Sequence, residues 1–175
     1  HISSVGFEMY CRLLEEAVET LQTGKEPEKV VEPIIELKED AYLDGEYIND
    51  ATNKIEIYQR IAAIRTDEHA DLLEEELIDR FGLLPEATKN LLQIAEMRLM
   101  VKPLKVLKID AGAQGGFIEF SPSAKVDPEK FIKLIQQNPI VYRFDGPLKF
   151  KFVKALSENK GRLEFVMDLV KTLTE

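Results

Sequence analysis

Apolar residues recur at helical spacing through most of the first hundred positions and then switch to strand spacing. Phe7, Tyr10, Cys11, Leu14, Val18 and Leu21 define an amphipathic helix over about 6–21. The polar stretch QTGKEPEKVVEP that follows reads as a linker, and Ile34–Leu37 as a short strand. Residues 39–50 are acidic and turn-like, bending at Asp44-Gly45, and Asp50 is placed to cap a helix. In that helix Ile55, Tyr58, Ile61 and Ile64 form the expected buried stripe. Leu73, Leu77 and Phe81 recur every four residues in a second helix over about 67–81. Gly82 is the expected C-cap, because glycine reaches positive φ without a Cβ clash. Pro85 suits the first turn of a third helix, where a missing N–H costs nothing. That helix is expected to run to Met100, with Leu91, Leu92, Ala95 and Leu99 inward, before Pro103 closes it.

Beyond Pro103 the period changes. Leu104–Ile109 and Phe117–Phe120 read as strands around a glycine-rich turn, Gly112-x-x-Gly115-Gly116. Asp127-Pro128 opens a helix bearing Phe131, Leu134 and Ile135. Val141–Phe144 and Leu148–Val153 form a second hairpin around Asp145-Gly146-Pro147. In its second strand Leu148, Phe150 and Phe152 alternate with Lys149 and Lys151, the mark of a half-buried strand. A last helix turns Leu163, Val166, Val170 and Leu173 inward. The pattern predicts an α+β fold: an N-terminal helical part, then a small antiparallel sheet built as ββα-ββα with its helices on one face.

Charge narrows the partners. The net charge is −9 and uneven: residues 1–124 carry 13 basic and 25 acidic side chains, residues 125–175 carry 10 and 7. Such a chain repels a phosphate backbone, so direct nucleic-acid binding is not expected and a basic protein surface is the better partner. The competing reading is a nucleic-acid-binding accessory domain that uses the mildly basic last fifty residues. No apolar run approaches the ~20 residues that span a bilayer, so no membrane contact is expected. A single cysteine, Cys11, excludes an internal disulfide framework and fits a reducing compartment.

Catalytic signatures are missing. There is no GxxxxGK[ST] loop and no GxSxG elbow, and the glycine-rich turn joins strands rather than opening a helix. His69 has no His/Cys cluster around it, so neither a metal, a cofactor nor a catalytic site is expected. Tyr142, Arg143, Phe150 and Lys151 superficially suggest base stacking, but Phe150 shares a face with Leu148 and Phe152, which core packing explains. The remaining candidate is the acidic helix. Asp71, Glu75 and Asp79 are spaced by four on one face, with Glu76 beside Asp79. A solvated face and a docking surface for arginines are the two main readings, since paired carboxylates suit the guanidinium fork.

Five blocks, in order, carry a resemblance. They are Gly6-Phe7-Glu8-Met9-Tyr10 with Leu13-Leu14-Glu15, Tyr47-Ile48-Asn49-Asp50, Tyr58-Gln59-Arg60-Ile61-Ala62, Glu76 through Pro85, and Tyr142-Arg143-Phe144-Asp145-Gly146-Pro147. Together they resemble the C-terminal end of bacterial transcription-repair coupling factors. The resemblance implies that residues 1–24 hold a helix from the end of the translocase motor plus the start of a linker. It implies that 25–175 is the C-terminal regulatory domain. The whole protein would be a cytoplasmic, ATP-dependent DNA translocase (a hydrolase) that removes stalled RNA polymerase and recruits nucleotide excision repair. This part would be non-catalytic and autoinhibitory, docking on the UvrB-like N-terminal module of the same protein and masking UvrA binding. UvrA and RNA polymerase would then be indirect partners. The family's acidic contacts fall on Glu76 and Asp79, with Asp71, Glu75 and Arg80 as neighbours. Without the motor, the apolar stripe over 7–21 is expected to drive self-association.

Overall fold

The computed structural model describes residues 32–157 and 159–175, together with 11, 13–15, 17, 18 and 21. The expected first helix and linker lie largely outside these residues. Those described are helical, with Leu13, Leu14, Val18 and Leu21 exposed, and Glu15 pairs with Arg65 at 3.1 Å. The chain forms two compact units, His1–Val30 with Asp40–Glu96, and Val31–Glu39 with Met97–Glu175.

The first unit is helical. Helix α1 (Ala51–Ala62) begins where Asp50 accepts from the Thr52 N–H at 3.0 Å, and α2 (Asp67–Phe81) where the Thr66 hydroxyl accepts from the His69 N–H at 3.1 Å. Both caps satisfy donors that a first turn leaves unpaired. Gly82 ends α2 at φ +94°, a conformation that favours glycine. Helix α3 (Glu86–Val101) starts one residue later than expected. Pro85 stands just before it and lends its carbonyl to the Thr88 and Lys89 N–H groups.

Ile57, Tyr58, Ile61, Ile64, Leu73, Leu77, Leu91, Leu92 and Ala95 pack the core of this unit. Two expectations fail for the same geometric reason. Residues two apart on a helix point about 200° apart, so Ile57 and Ile55 cannot share a face. Ile57 is fully buried and Ile55 remains 40% exposed. Likewise Met97 is buried where Leu99 was expected, and Leu99 is only half-buried.

The irregular 40–50 segment is sewn to all three helices. The Leu43 N–H donates to Tyr58 Oη at 2.9 Å, and the Asn90 amide donates to the Asp40 carbonyl at 3.1 Å. Tyr47 Oη reaches the carbonyls of Leu77 and Gly82 at 3.2 and 2.8 Å, with its ring 5.8 Å from that of Phe81. The Gly82 carbonyl, beyond the last helical turn, thereby gains a donor, and the Leu77 carbonyl gains a second one.

The second unit is the sheet. Strands β1 (Ile34–Glu36), β2 (Val106–Gly112), β3 (Gly115–Phe120), β4 (Tyr142–Asp145) and β5 (Lys149–Val153) lie in the order β1-β2-β3-β5-β4. The four strands of the ββα-ββα pattern are antiparallel as expected, and β1 adds a parallel strand beside β2. Helices α4 (Pro128–Gln137) and α5 (Asn159–Thr174) cover one face. Phe131 of α4 lies 5.6, 5.2 and 5.0 Å from the rings of Phe120, Phe144 and Phe150. Phe165 of α5 meets Tyr142 and Phe152 at 6.4 and 5.4 Å. Phe150 is thus core, as its alternation implied, and Tyr142 is core beside it.

The glycine-rich turn is a β2–β3 hairpin that permits close approach of backbones. A Cβ on Gly116 would stand 1.8 Å from the Asp110 carbonyl oxygen, and one on Gly115 only 2.1 Å from that of Phe152. The side chain of Arg162, 5% exposed, fastens this unit from within. Its guanidinium donates to the carbonyls of Leu156, Leu37 and Lys38 at 2.9–3.2 Å, tying α5 to the segment after β1.

Gly116→Ala is expected to cost about 3 kcal/mol in denaturant unfolding, because the opposing atom is backbone and cannot swing away. Tyr47→Phe should cost about 1 kcal/mol through loss of its hydroxyl contacts. An unchanged midpoint for either variant would contradict the corresponding packing role.

Candidate interaction surface

Helix α2 sorts its residues by period. Ala70, Leu73 and Leu77 are buried, and on the opposite side Glu68, Asp71, Glu75 and Asp79 are exposed. Asp71, Glu75 and Asp79 form a ridge two turns long. Among the described residues none of these three has an ion-pair partner. Leu72, 62% exposed, stands in the same surface, so the ridge offers an apolar contact among its carboxylates.

Glu76 has a different setting from Asp79. Its Oε2 accepts from Arg60 of α1, and from Arg80 one turn along its own helix at 3.0 Å. Arg80 in turn lies 3.9 Å from Glu56, 3.4 Å from the Asn53 amide oxygen, and over the Phe81 ring at 4.8 Å. Glu76 therefore couples α2 to α1, whereas Asp79 faces solvent. The sequence showed Arg80 as a neighbour of the acidic face; it did not reveal Arg60, sixteen residues away, as the partner.

The hydrogen bonds from Arg60, then those from Arg80, hold the Glu76 carboxyl below its ordinary range, against a smaller opposing effect of burial. The Arg60 and Glu76 side chains are 38% and 36% exposed, so water screens the pair and its share of stability is small. Among the described residues no group of three or more His, Cys, Asp or Glu side chains could hold a metal ion. Nor is any described helix long and apolar enough to cross a membrane.

The outer face of the sheet is the other charged surface. Lys108 lies 3.7 Å from Glu36 and 3.9 Å from Asp110, Lys151 lies 3.5 Å from Asp145, and the Lys149 ammonium sits 4.5 Å above the Phe117 ring. Lys108 and Lys151 are thus matched by carboxylates of the same face, Lys149 by a ring, and exposed Arg143 by no ion pair among the described residues.

The pH dependence follows from the sign of the Glu76 shift. A lowered folded-state pKa stabilises the fold fully above the unfolded value of ~4.3, and that gain is lost as pH falls through the folded value. Glu76→Gln should lower Tm at neutral pH and make its decline below about pH 4 shallower. Parallel Tm–pH curves for the two proteins would contradict the Arg60–Glu76–Arg80 assignment.

The family model described as "TRCF domain" matches residues 37–131, which contain all of α1, α2 and α3. A transcription-repair-coupling factor of Haemophilus influenzae is 57% identical over 176 residues, covering 98% of this chain and 15% of that protein. The Escherichia coli factor is 37% identical over 99% of this chain and 16% of its own length, and the Bacillus subtilis factor 32% over 99% and 15%. The chain thus spans only about 15% of the length of the curated relatives it matches. A crystal structure of the C-terminal domain of transcription-repair coupling factor superposes with a TM-score of 0.71 at 25% identity, covering 81% of this chain and 91% of that one. The chain belongs to the TRCF domain family and has the fold of the C-terminal domain of transcription-repair coupling factor.

Proposed function

We propose that this chain is the non-catalytic, autoinhibitory domain of a bacterial, cytoplasmic transcription-repair coupling factor. The parent is an ATP-dependent DNA translocase that removes stalled RNA polymerase and recruits nucleotide excision repair. The domain docks through α2 on the UvrB-like module of the same protein and masks the UvrA-binding surface; residues 1–24 belong to the motor side. The observation that carries this reading is the ridge of exposed carboxylates at Asp71, Glu75 and Asp79, without an ion-pair partner among the described residues, on a capped, well-packed helix.

Glu76 and Asp79 then play distinguishable parts. Asp79 is open to an incoming arginine, as are Asp71 and Glu75. A basic group that reaches Glu76 has to share its carboxylate with Arg60 and Arg80 or displace Arg80. Exposed ion pairs contribute about 0.2–1 kcal/mol each, so a few of them make a latch that can open, as regulation requires. Linkage within one polypeptide supplies the effective concentration that such a weak contact needs.

In the full-length protein, reversing Glu76 and Asp79 to lysine should unmask UvrA binding and raise ATPase activity. Reversal of Asp71, Glu75 and Asp79, which leaves the Arg60–Glu76–Arg80 cluster intact, should do the same. UvrA affinity and ATPase rate unchanged in both variants would exclude this interface. A salt-dependent shift of a short duplex by the isolated chain would instead favour a nucleic-acid-binding role.

A further inference from the structure

Ile55 is the one apolar member of the expected α1 stripe that is left at the surface, and it is not isolated there. Together with Ile48 and Tyr58 it lines a groove of about 230 Å³, closed by Gly45, Asn49, Ala51 and Lys54. All of these residues belong to the first unit. The groove lies between the 45–49 turn and the face of α1 that bears Ala51, Ile55 and Tyr58. Arg60, on the α1 side that reaches α2, is not among its lining residues. A cavity of ~150 Å³ lined by apolar groups is enough to take a benzene ring, so this one has room for a branched or aromatic side chain.

The surrounding charge states what kind of segment brings that side chain. Asp44, Glu46 and Asp50 flank lining residues of the turn, while Lys54 is the only cation in the lining. Its ammonium lies over Gly45, 3.9 Å from where a Cβ would stand, and makes no ion pair among the described residues. Glu46 and Asp50 are exposed. An apolar slot beside three carboxylates and one ammonium favours an apolar side chain flanked by cations, and disfavours the same side chain flanked by carboxylates.

We propose that this groove is a docking site for a basic, apolar-bearing peptide segment of a protein partner. The site anchors one apolar side chain against Ile48, Ile55 and Tyr58 while the neighbouring carboxylates receive arginine or lysine. It does not depend on the reading of the α2 ridge, from which it shares no lining residue.

The test is fluorescence anisotropy on the 175-residue chain with three short, blocked, labelled peptides: one alternating leucine and arginine, one with its leucines replaced by serine, one with its arginines replaced by glutamate. The leucine–arginine peptide should bind saturably and at least about tenfold tighter than either analogue. Ile55→Asn, Glu46→Lys and Ala51→Trp, the last filling the groove from an exposed position, should each weaken it by about tenfold, with thermal melts verifying the fold. Glu164→Lys, exposed on α5 of the second unit, should leave it unchanged. Equal binding of the serine analogue, preference for the glutamate analogue, no binding by any peptide, or indifference to all three groove variants would overturn the proposal.

Discussion

Helix α2 can keep its apolar stripe dry in only one rotational setting, and that constraint dictates the candidate surface. Burying Leu73 and Leu77 is worth about 1.5–3 kcal/mol each. The repulsion between Asp71 and Glu75, and between Glu75 and Asp79, costs about 0.2–0.5 kcal/mol per pair. Packing therefore wins, and the carboxylates are held outward side by side. The Thr66 cap and the acidic residues Asp67 and Glu68 in the first turn reinforce the helix where its free N–H groups favour negative charge. A cationic partner relieves the repulsion that the fold tolerates, so the ridge is both stable alone and improved by contact.

The helical unit and the sheet unit solve different problems. In the first, an irregular acidic segment is anchored by Tyr47, Leu43 and Asp40 to three helices, which leaves its turn beside α1 to form the groove around Ile55. In the second, glycines let strands β2, β3 and β5 approach to backbone contact, and a cluster of phenylalanines fills the space beneath two helices. Arg162 supplies what neither can. A buried guanidinium fork answers three carbonyls where the chain leaves β1 and where it enters α5.

Much of this was legible in the sequence because it is periodic or locally capped. Asp50, Gly82 and the alternation of Phe150 with Lys151 each state their own local structure, and the ββα-ββα order follows from the strand and helix periods after Pro103. Pairing at a distance was not legible. Nothing at Arg60 announces that it reaches Glu76, nothing at Arg162 announces carbonyls more than a hundred residues away, and a three-residue β1 gives no signal of its parallel neighbour. Ile55 shows the limit of stripe reading, since Ile57 competes for the same core and only packing decides between them. The acidic ridge was visible as a pattern, but its division into a self-paired Glu76 and an open Asp79 required the neighbouring helix.

Whether the separate UvrB-like module binds this chain by charge is the most direct test of the proposed docking. Its affinity for the 175-residue chain, measured by calorimetry across a series of salt concentrations, decides the matter. The ridge predicts binding that is clear at low salt and falls steadily as salt is raised, because exposed ion pairs are screened. An absence of binding at low salt, or an affinity indifferent to salt, would contradict it.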